Sequence, residues 1–439
     1  MRWKINFDEC LLLLIYVEAT ILGFFGLTQL FNKVIFVLIF IRLIKHYKEC
    51  ANDMIFYFFF LLLMAMSVIQ GDGSLIIGIR NFLVLLYPMA QAYFILYLCK
   101  HKPSFVDTFM KKYFYFFNFT AIMNLFGALV QCFKPNVICP VNTYGYEVMD
   151  FDNITGFFSY GATHTLCVFM VFIILYNLSF IKAPILRLKN LLFTIYIACI
   201  ILAMCVISLI GDNKAFFMLL PVVLCVYFIF VYTYKISKER IIKIVLAFLV
   251  LALLLFLAYY TNAMVRNIFN KIIVKTLGMM RDSIHLGNQA NGSGERIAIL
   301  KYALCTLSTW FLGKGFGAAM VFEEGYQGFA HFGQADLGSI LLLGGLWFSL
   351  FFLFMYSRLF LSFVSFHKPG KRGPWYNVRM TRSSIVYGML KWVTMIGFLL
   401  ILSLYTQCFT RTDIMLCLSI MILSLRQAIR EHLNYMIKE

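Results

Sequence analysis

The sequence predicts an all-α membrane protein of about twelve transmembrane helices. Three observations carry that. The 439-residue chain is 62% hydrophobic and only 13% charged, where soluble domains carry about 25% charged residues. Its mean hydropathy is +0.85. Apolar runs of about 20 residues, the length that crosses a bilayer as a helix, recur from end to end. They are continuous rather than alternating, which argues against a β-barrel.

Taken in order, the first two spans run near 10–28 and 30–44, with a tight turn at Asn32. The N-terminal Met1, Arg2, Trp3 and Lys4 lead into the first without a small-residue cleavage site, so it reads as a retained span. Arg42, Lys45 and Lys48 then mark the cytoplasmic side. Spans three and four (54–70 and 74–99) are joined by Gly71-Asp72-Gly73 and followed by Lys100, Lys102, Lys111 and Lys112. Span five (113–132) leads to an external loop of 133–162, rich in Asn, Asp, Tyr and Pro. Span six (163–181) returns to Lys182, Arg187 and Lys189. Spans seven (190–210) and eight (215–234) are joined by Gly211-Asp212-Asn213-Lys214, and Lys235, Lys238, Arg240 and Lys243 follow. Span nine (244–260) enters the longest loop, 261–336. Span ten (337–357) leads to the most basic loop, with Lys368, Lys371, Arg372, Arg379 and Arg382. Spans eleven (390–406) and twelve (412–427) enclose Arg411.

This threading puts both termini in the cytoplasm and 26 of the 38 Lys and Arg residues on that side. The net charge of +18 is therefore the positive-inside rule and an attraction to anionic membrane lipid, not a nucleic-acid footprint. Six of the twelve cysteines, Cys99, Cys167, Cys199, Cys205, Cys225 and Cys417, sit in or beside spans as small hydrophobes. Cys132 and Cys139 flank the first external loop and are the pair the topology would let bridge. No internal repeat or low-complexity segment divides the chain, so 1–439 reads as one membrane domain, with 261–336 as an external subdomain. Loops of that length are functional or disordered. Ile297, Leu300, Leu304 and Leu307 recur at helical spacing, which predicts an ordered helix lying on a surface.

No nucleotide signature is present. Leu312-Gly313-Lys314-Gly315-Phe316-Gly317 lacks the spacing and the Lys-Ser/Thr ending of a phosphate loop, and reads as a tight turn after Trp310-Phe311. No His, Cys, Asp and Glu set has zinc spacing; His285 and His331 stand alone. What remains is a set of external cations: Arg80 in span four, Lys214, and Arg281, Arg296, Lys301 and Lys314 of the long loop. An ionisable group inside a span is costly and points to function. Guanidinium and ammonium groups facing lipid on the external side suit a lipid-linked diphosphate. The structural alternative is a long basic side chain reaching to the headgroups.

Several stretches resemble the O-antigen polymerase and O-antigen ligase superfamily. Ser293-Gly294-Glu295-Arg296-Ile297-Ala298-Ile299-Leu300 is similar to that family's small-Gly-x-Arg start of a loop helix. Trp310 to Gly317 is similar to its turn of apolar residues and alternating glycines. Gln334-Ala335-Asp336-Leu337-Gly338 leads into a span carrying Gly344-Gly345. Upstream, Thr155-Gly156-Phe157-Phe158 and Ser208 to Lys214 match less closely. Together these cover roughly 155–347. The His placed directly before Asn, Ser or Gln in ligases is missing, since Gly333 precedes Gln334 and the nearest His is His331.

The resemblance implies a GT-C-like glycosyltransferase in a bacterial inner membrane. It would act as a polymerase of O-antigen, capsular or exopolysaccharide, joining undecaprenyl-diphosphate-linked repeat units by inverting, metal-independent transfer on the external face, with no cofactor. A chain-length regulator protein is an expected partner. Arg296, Lys214, Arg281 and Arg80 would hold the departing diphosphate, with Arg296 foremost. His331 and Asp336 are the candidate bases for the acceptor hydroxyl, ahead of Glu323 and Glu324; Asp336 also stands where a helix cap would. Two rivals remain: a ligase passing the finished glycan to lipid A-core, and a lipid-glycan flippase or other transporter. Against a transporter stand the missing two-half symmetry and the absence of a basic carrier signature in Arg42 to Cys50.

Overall fold

The computed structural model describes residues 6–46, 61–66, 74–135, 137–142, 153–181, 188–211, 215–232, 256–270, 293–306, 313–318, 320–323, 326–329, 335–364 and 382–438, with three isolated positions between 253 and 278. The described chain is a helical bundle. Its elements are α1 (Phe7–Val17), which continues as a π-turn (Glu18–Leu22), then α2 (Thr28–Lys45), α3 (Leu75–His101), α4 (Pro103–Lys112), α5 (Phe114–Phe133), α6 (Thr163–Leu178), α7 (Leu188–Ile210) and α8 (Ala215–Tyr232). There follow α9 (Ala263–Phe269), α10 (Ser293–Cys305), α11 (Asp336–Val364), α12 (Arg382–Tyr405) and α13 (Thr412–Lys438). A small antiparallel hairpin, β1 (Met320–Glu323) and β2 (Tyr326–Phe329), pairs Met320 with Phe329 and Glu323 with Tyr326.

Six helices among the described residues are long and apolar enough to cross a membrane: α3, α5, α11 and the stretches Asn190–Ile210, Gly388–Tyr405 and Thr412–Glu431. They coincide with expected spans four, five, seven, ten, eleven and twelve. Thr163–Leu178 and Ala215–Val231 are shorter apolar helices where spans six and eight were expected. The chain is thus a multi-pass membrane protein. Most of span three and most of span nine lie outside the described residues.

Burial sets the layers. In α13, 94% of the membrane-length window is buried, against 28% in α7 and α12, so α13 is central and the other two are peripheral. α6 joins α13 at the centre: nearly every one of its residues is buried, as a helix apolar all round should be. Rings of Phe117, Phe169, Phe172 and Tyr176 interlock there.

Ion pairs tie the helices at one end, which also holds the start of α1 and the last turns of α13, called here the terminal end. Asp8 is fully buried and meets Arg42 of α2 at 2.6 Å and Lys102 at 2.5 Å. Glu9 binds Lys112 and the Tyr113 hydroxyl, Asp107 binds Arg430, and the Tyr176 hydroxyl donates to the Met110 carbonyl. Burial acts to raise the Asp8 carboxyl, but the hydrogen bonds and charges of Arg42 and Lys102 outweigh it and hold Asp8 below its ordinary value. Phe193 of α7 packs on Phe114 at this same end, and Lys391 lies over the Phe230 ring near the end of α8. Hence α7 runs away from the terminal end and α8 runs back. Gly211 and Ala215, which flank Lys214, stand at the opposite end, called here the loop end.

At the loop end the segment 153–162 folds onto α5. Gln131 accepts from the backbone of Thr155 (2.9 Å) and Gly156 (2.8 Å), and Asn124 accepts from Phe157 (2.9 Å). Gly156 has φ +66°, and a Cβ there would lie 2.6 Å from the Asn124 carbonyl, so only glycine fits. Cys132 and Cys139 are both free thiols; the bridge that topology would permit is not formed.

Candidate functional site

The long loop returns into the bundle. At residues 313–318 the chain turns through Gly313 and Gly315, both with positive φ, and docks on α11. Lys314 N donates to the Leu342 carbonyl at 2.8 Å and Gly315 N to the Leu343 carbonyl at 3.0 Å. Those carbonyls are available because α11 is broken at Gly345, whose φ of 78° and ψ of 176° are not helical. The break and the turn satisfy each other, as backbone at membrane depth must. Leu342 is six residues into α11, so contact falls about 9 Å below its start. A Cβ on Gly313 would come within 2.5 Å of the Leu342 carbonyl.

Phe316 anchors the turn. It is fully buried and its ring meets Phe348 edge-on at 5.2 Å. Its carbonyl accepts from the Asn81 side chain at 2.8 Å, and the Gly317 carbonyl accepts from Ser74 N at 3.1 Å. Thus α3, α11 and the glycine turn form one unit. The expected tight turn is present, but it sits inside the protein rather than on its rim.

α10 is the expected loop helix. It packs on the first turn of α11, where Gly338 lets Ile299 approach: a Cβ at Gly338 would be 2.6 Å from Ile299 Cγ2. Ile299 and Ala303 are buried. Arg296 lies in the first turn of α10, and its side chain is outside the described part of the structure.

The expected site residues fare differently. Arg80 is exposed, and it is the next residue, Asn81, that turns inward. Lys214, Arg281 and His331 lie outside the described residues, as do Glu324, His285 and the side chain of Glu323. Asp336 is fully buried at the start of α11. Its carboxylate accepts from Phe409 N at 2.5 Å and from the Thr410 hydroxyl at 2.7 Å. Both oxygens therefore hold the α12–α13 turn.

That turn joins a second polar group which the sequence reading missed. Arg411 binds Asp413 through two bonds, at 3.1 and 2.7 Å, and also donates to Ser159 Oγ at 3.0 Å. Asp413 accepts from Thr165 at 3.0 Å. His164 stacks on Tyr405. Glu18 is on the π-turn of the first span, which packs on α13, and the charges of Asp413 and Arg411 act on it. It is fully buried, and among the described residues neither carboxylate oxygen has a hydrogen-bond partner. The available signal was an acid inside an apolar run.

Among the described residues, no three His, Cys, Asp or Glu side chains gather as a metal site. A small void between α1, α3, α4 and α13 is lined by Leu12, Tyr16, Leu98, Phe109 and Ile420; it is apolar and toward the terminal end, away from these groups.

Fold and site together define a multi-pass helical membrane protein with a re-entrant glycine turn and a loop helix docked over a broken span. No protein-family model, no curated protein and no solved structure matches the chain.

Proposed function

We propose that the protein is a polysaccharide polymerase of a bacterial cytoplasmic membrane, with GT-C-like architecture, twelve spans and both termini inside. It joins glycan repeat units carried on undecaprenyl diphosphate at the external face. One observation carries the reading: α10, with Arg296 in its first turn, is docked on α11 through Gly338. A cation on the docked loop helix supports the reading, since the diphosphate of a lipid carrier would lie at the external edge of the bundle. In the reaction the acceptor hydroxyl attacks the anomeric carbon, the bond to the diphosphate breaks, and the lipid diphosphate leaves as an anion. Arg296, with Lys214 and Arg281, receives it. Arg80 serves only from an exposed face. The hydroxyl proton goes to His331, because the Asp336 oxygens are engaged by Phe409 and Thr410.

A deletion strain tests the reading. Loss of a polymerase leaves single repeat units attached to the final acceptor; loss of a ligase leaves none attached. The second reading, a lipid-glycan carrier, is favoured by the break at Gly345, since broken spans mark substrate sites in carriers. Its loss would strand lipid-linked units on the cytoplasmic leaflet.

A further inference from the structure

We propose that Glu18 is a buried proton-binding site, occupied in the folded protein at neutral pH. Among the described residues, the charges that act on Glu18 are one cation, Arg411, and one other carboxylate, Asp413. Arg411 is committed to Asp413 by two bonds and to Ser159 by a third, while both Glu18 oxygens are buried without a hydrogen-bond partner among the described residues. An ionised carboxylate in that position would cost far more than taking up a proton. With the proton on, Glu18, Asp413 and Arg411 sum to zero charge.

The occupant is a proton rather than a metal cation. Calcium and magnesium ions gather six or more oxygens at about 2.0–2.6 Å, and ligands of one ion lie close to each other. Among the described residues, no polar partner stands within hydrogen-bonding reach of either Glu18 oxygen. The other charged groups of the packed elements are placed elsewhere. Lys33 of α2 is exposed, and Asp8 and Glu9 of α1 are paired at the terminal end. His164 of α6 is held by Tyr405 and by Thr406.

The π-turn matters here, because such turns widen a helix by one residue and recur at functional positions. It gives the Glu18 proton a role in holding the loop end together. Were the proton to leave to water, the new carboxylate would compete with Asp413 for Arg411. The contact between Arg411 and Ser159, which ties 153–162 to the last helix, would loosen. The proposal does not depend on glycosyl transfer.

Infrared spectroscopy of the full-length protein in lipid tests it, using glutamate labelled with ¹³C at the side-chain carboxyl. At neutral pH the wild type should show a protonated-carboxyl stretch that shifts with the label. Glu18→Gln, neutral and similar in shape, should lose that band. If Glu18→Gln does not accumulate, the labelled wild type decides alone: the band must be present at neutral pH. No labelled protonated band, its persistence in Glu18→Gln, or a Glu18 carboxylate whose spectrum responds to added sodium or calcium would each overturn the proposal.

Discussion

The side-chain amide of Asn81 donates to the backbone carbonyl of Phe316 at 2.8 Å, across 235 residues of chain. One bond thus connects an early span to the turn by which the long loop enters the bundle. Both partners are buried, so the carbonyl has no water to fall back on. Asn81→Leu leaves it unsatisfied and should cost about 1–3 kcal/mol. The check is limited proteolysis in detergent together with thermal unfolding. Faster cleavage within 307–319 and a lower midpoint are expected, whereas Arg80→Leu, on the exposed position beside it, should change neither.

The glycine turn makes a sharper test of backbone conformation. Gly313 has φ +65° and its Cβ position is blocked by the Leu342 and Leu343 backbone, while Gly397 of α12 has open space around it. Gly313→Ala should lower both the amount of folded protein and its midpoint. Gly397→Ala, measured beside it by size exclusion and thermal unfolding, should match the wild type. Equal behaviour of the two would mean that the turn is not seated at Leu342.

At the terminal end the sign of the pH effect follows from Asp8. Its carboxyl is held below the ordinary value, so its contribution is fully present above the unfolded value of about 3.9 and is lost as pH falls through the lower folded value. Asp8→Asn lacks that contribution at every pH. The wild type should therefore exceed the variant by roughly 2 kcal/mol near neutrality, and the two curves should converge in acid. Unfolding midpoints across a pH series check this.

Asp336 separates a strap from a base. Its oxygens hold Phe409 and Thr410, so Asp336→Ala should lower stability by more than 1 kcal/mol or so and reduce product only in proportion to folded protein. The pH profile of turnover per folded molecule should keep its shape. A changed profile would return the proton-transfer role to Asp336.

Much of this fold is legible in the sequence because apolar length and basic punctuation are local signals. Spans four, five, seven, ten, eleven and twelve are found within a few residues of their expected places, and Ser293 to Leu300 does start a helix. The rest depends on partners far away in the chain. Gly344-Gly345 is visible as a pair, but nothing local says that Lys314 and Gly315 will bond the carbonyls it frees. Helix phase is not visible in charge alone: Arg80 is exposed, one step from the buried Asn81. Asp336 directly precedes an apolar run, as a cap would, yet its bonds go to a turn some seventy residues later. Glu18 was hidden by its setting: a single acid in a long apolar run barely alters the hydropathy that identifies the span.

The most direct measurement is the length distribution of polysaccharide made by cells carrying Arg296→Ala, with membrane-inserted protein quantified in the same cells. The expected result is loss of long chains, leaving single repeat units, at an unchanged level of protein. Wild-type chain lengths at that same level would contradict the assignment of Arg296 to the departing lipid diphosphate.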